Sequence, residues 1–210
     1  MDRSLEDCFT QISQLSHYRG FDYRELRDRL GDEFLQRRLN RQLDLYVTHR
    51  TAQGEGGLQW KRKVMRLLVQ GGLTCTGLLQ RARNNARRPV VVERDVVLPH
   101  LPQAFAGFRI LHVSDFHFEF IPELPAILAR VLKDLSFDLC CLTGDFRGET
   151  TGPYEESLQH LEACRHLLGN DVFTVLGNHD NIELLPKLQE LKIRCLMNET
   201  TRVTRDDASL

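Results

Sequence analysis

Three short apolar runs in this chain each end in a polar cluster of a kind that binds metal ions. Ile110 to Val113 leads into Ser114-Asp115-Phe116-His117, Leu139 to Leu142 into Thr143-Gly144-Asp145, and Val172 to Leu176 into Gly177-Asn178-His179-Asp180. Oxygen donors with some imidazole suit Mn²⁺, Fe²⁺/³⁺ or Zn²⁺, whereas Ca²⁺ takes more oxygens and structural zinc takes thiolates. Asp115, His117, Asp145 and Asn178 are therefore the candidate ligands. Asp145 is the natural bridge between two ions, because a carboxylate has two oxygens to share.

The elements that would position these residues follow from the intervals. Asp115 to Asp145 is 30 residues and Asp145 to Asn178 is 33, about one strand-helix-strand unit each. Right-handed crossovers between successive parallel strands bring the C-terminal end of every strand to one edge of the sheet, where open α/β folds bind ligands. The covering helices are visible as stripes: Leu124, Ile127, Leu128, Val131, Leu132 and Leu135, then Leu158, Leu161, Cys164, Leu167 and Leu168, closed by Gly169-Asn170. A shorter stripe of Leu184, Leu185, Leu188 and Leu191 leads to a strand over Ile193 to Met197. Continuous apolar strands predict a parallel sheet buried on both faces. Val90 to Val92 and Val96 to Leu98 read as a strand ahead of it. Gly144 and Gly177 lack a Cβ, so the backbone there can turn sharply and come close to an ion.

At these residues the sequence resembles the calcineurin-like metallophosphoesterase superfamily, whose pattern is Asp-x-His, Gly-Asp, then Gly-Asn-His-Asp or Glu. Asp115-x-His117, Gly144-Asp145 and Gly177-Asn178-His179-Asp180 match it in order and spacing. The lead-in from Leu101 to Ile110 is similar to a branch that includes membrane-associated phosphohydrolases and lipid A precursor pyrophosphohydrolases. The resemblance covers about residues 90 to 200. It implies that Asp115 and His117 bind a first divalent ion, Asp145 bridges two, and Asn178 binds the second. It implies further that His179 protonates the leaving oxygen while Asp180 orients its ring. Two departures stand out. Gly148 takes the place of a second Asp, and no histidine follows His179, so the family's lone His and Gly-His-x-His are missing.

Composition adds outer bounds. With 41% hydrophobic and 27% charged residues in 210, the chain reads as an ordinary globular protein, and a formal net charge of −1 gives no global attraction to nucleic acid or anionic membranes. Its six cysteines have no Cys-x-x-Cys spacing, which suits a reducing cytosol. Residues 1–59 read as a helical N-terminal extension: Leu5, Cys8, Phe9, Ile12 and Leu15 share one face, Leu35, Leu39, Leu43 and Tyr46 another, Asp22-x-x-Glu25 resembles a capping box, and Gly54 to Gly57 a flexible break. Residues 60–89 form a basic amphipathic segment. Lys61, Arg62, Lys63, Arg66, Arg81, Arg83, Arg87 and Arg88 flank an apolar run beside Trp60, with no acidic residue between. Such a segment can lie on an anionic membrane surface, or be a solvated helix whose apolar side packs on the domain that follows.

The fold expectation is thus an α/β layered metallophosphoesterase domain over residues 90–210, the first half of a sheet sandwich, carrying the N-terminal extension. The function expectation is a two-metal phosphohydrolase acting on phosphoester or pyrophosphate bonds of a small or lipid-linked substrate, in the cytoplasm or peripheral on the membrane, and present here as the N-terminal part of a longer protein. The alternative is a non-catalytic binding module on the same scaffold. Arg147, two residues after Asp145, reads as an exposed loop arginine or a holder of a phosphate oxygen. His17 and His49 read as surface or capping residues, and His100, His112, His160 and His166 as structural or solvent-facing.

Overall fold

The computed structural model describes residues 3–15, 23–54 and 56–210. The chain divides into two compact units, residues 1–88 with 149–153, and residues 89–148 with 154–210.

The first unit is helical. Its elements are α1 (Leu5–Leu15), a short α2 (Arg27–Leu30), α3 (Asp32–Gly54), α4 (Gly56–Cys75) and α5 (Leu78–Ala86). Helix α1 packs on α3, and the two stripes read from the sequence become this unit's core: Leu5, Cys8, Phe9 and Ile12 are buried, as are Leu35, Leu39, Leu43 and Tyr46. The glycine run does not open a loop among the described residues, since α3 continues to Gly54 and α4 begins at Gly56. The capping box and His17 lie outside the described residues, as does the side chain of His49.

The second unit carries four parallel strands, β1 (Ile110–Val113), β2 (Leu139–Leu142), β3 (Val172–Thr174) and β4 (Arg194–Cys195), paired in the order β1-β2-β3-β4. Helices α6 (Leu124–Leu132), α7 (Glu155–Cys164) and α8 (Leu185–Glu190) connect them, as their stripes predict. Pro125 and Pro186 sit in the first turns of α6 and α8, where the missing N–H has no helical partner to lose. A small antiparallel pair, β5 (Thr204–Arg205) and β6 (Ala208–Ser209), follows.

Two expectations are overturned here. Residues 90–98 form no strand: the segment has no ladder partner, and Val90, Val92, Val96 and Val97 are exposed. Nor is the sheet buried on both faces. Ile110 is 58% exposed and β1 alternates exposed with half-buried. Strand order explains it. When consecutive strands are also neighbours, right-handed crossovers place every helix on the same side. Register puts Cys140, Leu142, Val172, Thr174 and Cys195 on the covered face, all buried, whereas on the other face Ile110, His112, Cys141, Phe173 and Arg194 are exposed or half-buried and Leu139 alone is buried.

Candidate metal centre

The loops that leave β1 and β2 run on as an extension of the sheet. The N–H groups of Asp115, His117 and Phe118 donate to the carbonyls of Gly144, Asp145 and Phe146 at 3.1, 3.0 and 3.1 Å. Side chains alternate along this extension. Phe116, Phe118 and Phe146 turn inward and are buried, stacked with ring centroids 4.9 and 5.5 Å apart, while Asp115 and His117 are left on the accessible side. The aromatic floor escaped the sequence reading, although the period-two alternation of Phe116 and Phe118 with the two ligands carries its signal.

Three predicted ligands meet at this edge. One donor atom each from Asp115, His117 and Asp145 lies within 4.8 Å of the others. His117 Nε2 is 3.8 Å from Asp115 Oδ1 and 3.9 Å from Asp145 Oδ2, within the ~4.4 Å that two donors of one ion can span at metal–ligand distances of about 2.0–2.2 Å. The other ring nitrogen of His117, Nδ1, is 2.6 Å from the Arg147 carbonyl. A carbonyl only accepts, so Nδ1 carries the proton and Nε2 keeps its lone pair toward the carboxylates. The donor set and its tautomer fit a divalent ion. Asp115 and His117 have side chains 65% and 26% exposed, so the site is open to solvent from the β1 loop.

All three residues adopt left-handed backbone, with φ of 56° at Asp115, 42° at His117 and 54° at Asp145. That region is unfavourable for most side chains, though Asp, Asn and His tolerate it best. Asp180 holds the strained turn at Asp145. Its buried carboxylate accepts the N–H groups of Asp145 at 2.7 Å, Phe146 at 2.9 Å and Gly177 at 2.9 Å, joining the β2 and β3 loops. Burial pushes its pKa up, and the three N–H groups pull against that shift.

The glycines serve the same junction. Gly144 turns at φ 82°, and a Cβ there would lie inside the Gly177 backbone; a Cβ on Gly177 would lie inside Asp145. The close approach is therefore of loop to loop. Gly148, in place of the family's second Asp, lies under the Phe120 ring, which a Cβ would meet at 2.8 Å.

From the β3 loop, the His179 N–H donates to Asp145 Oδ1 at 2.9 Å, and its ring stands edge-on to His117 with centroids 5.2 Å apart. Asn178 precedes it with its side chain exposed. Arg147 departs from both readings given to it: it is fully buried, with its guanidinium over the Tyr154 ring at 5.6 Å. The remaining described histidines stay out of the donor cluster. His112 pairs with Thr143 Oγ1 at 2.8 Å, His160 lies against Phe118, and His100 and His166 are exposed.

Comparison with known proteins agrees with this geometry. Residues 108–205 match the calcineurin-like phosphoesterase family, so the resemblance in the motifs holds over that stretch. A relative, the uncharacterized metallophosphoesterase YkoQ of Bacillus subtilis, is 35% identical over 86 residues, covering 40% of this chain and 31% of the relative. The matched part is thus about a third of that protein's length. No solved structure matches.

Proposed function

We propose that the calcineurin-like phosphoesterase segment at residues 108–205 builds a divalent-metal centre that hydrolyses phosphoester or pyrophosphate bonds. The observation that carries this is the convergence of Asp115, His117 and Asp145 at the C-terminal edge of the sheet. Bound divalent ions supply Lewis acidity toward a phosphoryl oxygen and a nucleophile at neutral pH. Asp115, His117 and Asp145 would hold one ion, and Asn178 together with Asp145 would hold a second. The Arg147 carbonyl keeps Nε2 of His117 as the donor. His179 is the general acid that hands a proton to the departing oxygen, and its ring lies 5.2 Å from that of His117, beside the donor cluster. Asp180 is assigned to orient it.

The test is titration of the protein with Mn²⁺ or Zn²⁺ by calorimetry, together with hydrolysis of p-nitrophenyl phosphate and its diester. Asp145→Asn should abolish tight binding and turnover, whereas His179→Ala should keep binding and lose about 10²–10⁴-fold in turnover. The second reading, a non-catalytic binding module on this scaffold, is favoured by a donor cluster of three residues with Asp115 largely exposed. Metal binding without any turnover would support that reading and refute the first.

A further inference from the structure

Helices α4 and α5 combine features that a helix covered by protein does not show. From Val64 to Arg88 every side chain is exposed apart from the half-buried Leu73 and Leu79. They include Met65 at 63%, Leu67 at 68%, Leu68 at 66% and Val69 at 51%, and Trp60 one turn earlier is 58% exposed. Around a 3.6-residue turn, Trp60, Val64, Leu67, Leu68, Gly71 and Cys75 form one face, widened by Met65, Val69 and Gly72. Arg66 and the half-buried Leu73 lie on the opposite side, and Gln70 and Thr74 at the edge beside Leu67. Among the described residues, a Cβ added at Gly71 or Gly72 would meet nothing within 4 Å. Gly77, in left-handed backbone, turns α4 into α5, whose Arg81 and Arg83 are exposed, as are Arg87 and Arg88 just beyond.

Charge selects the occupant. Between Gly56 and Val92 the sequence has eight basic residues and no acidic one, in a chain whose net charge is −1. Among the described residues no helix is long and apolar enough to cross a membrane. An apolar arc wider than a coiled-coil seam, with Trp at one end and arginines at the other, suits a helix lying in the headgroup region rather than through the bilayer. We propose that α4 and α5 form a docking surface for an anionic phospholipid membrane, with Trp60, Leu67 and Leu68 in the acyl boundary and the arginines against the headgroups.

Trp60 is the sole tryptophan of the chain, so its fluorescence reports on α4 directly. The experiment adds vesicles of phosphatidylcholine, with or without phosphatidylglycerol, to the full chain and follows Trp60 emission and co-sedimentation. The expected result is a blue shift and sedimentation with the anionic vesicles only, weakened by salt. Arg83→Gln should lower partitioning about fivefold, and Leu67→Glu with Leu68→Glu should abolish the shift while the circular dichroism stays the same. Equal binding to neutral vesicles, or none to either, overturns the proposal. So does a lipid-free, concentration-dependent dimer that Leu67→Glu disperses, since a second copy would then be the occupant, and so does tighter binding to a DNA duplex than to vesicles.

Discussion

Asp180 receives three backbone N–H groups from two loops, so its weight in the site falls on the shape of the turn that carries Asp145. Asp180→Asn keeps the shape but turns one acceptor into a donor facing an N–H. We expect it to weaken metal binding about 10–100-fold by calorimetry, as loss of an outer-shell partner does elsewhere. Gly177→Ala should be worse, because the added methyl falls on Asp145. A loss of roughly 1–3 kcal/mol in urea unfolding is the expected outcome of forcing those atoms apart. The ligand types were legible in the sequence because chemistry depends on residue identity. The Arg147 carbonyl and the burial of Arg147 were not, since they depend on where distant parts of the chain come to rest.

At the scale of elements, the covered and open sheet faces should behave differently. Leu161→Ala or Leu188→Ala, both fully buried, should cost about 2–5 kcal/mol, while Ile110→Ala on the open face should cost well under that. Thiols offer a second check. Burial pushes Cys140 up to about 12 and Cys164 up to about 11, leaving both as unreactive neutral thiols near neutral pH. A maleimide should label exposed Cys75 first and half-buried Cys141 next, with neighbouring Cys140 waiting for unfolding. The sign with pH follows: thiols whose pKa is raised on folding stabilise the fold fully below the ordinary thiol value of 9.0. That contribution is lost as pH rises toward 11 and 12, so the urea midpoint should fall across this range. Helix stripes and strand order could be read from the sequence because apolar periodicity records burial. The exposed run of Val90 to Leu98 could not be, because a β-prone segment becomes a strand only when a neighbour supplies the ladder.

For the whole molecule, residues 89–98 at the start of the second unit have neither helix nor strand and are exposed throughout. Trypsin should therefore cut first after Arg87 and Arg94, both exposed, while the Arg88–Pro89 bond resists it and the buried Arg147 survives to late times. Mass spectrometry of the early products decides this. Cuts after Arg130 in α6 or Lys187 in α8 at equal rates would mean that the α/β unit opens as readily as residues 87–98.

The left-handed backbone at Asp115, His117 and Asp145 also has a mutational meaning. The residues such backbone accepts most readily, Gly aside, are Asn, Asp and His, and these are donors that a hard or borderline cation accepts. Substitution by Val or Ile at any of the three loses both the donor and the conformation, whereas Asp→Asn keeps the conformation and one oxygen while losing the charge and the other oxygen. Steric tolerance and coordination thus narrow these positions to nearly the same short alphabet. The site is guarded by its own backbone before any selection on catalysis begins.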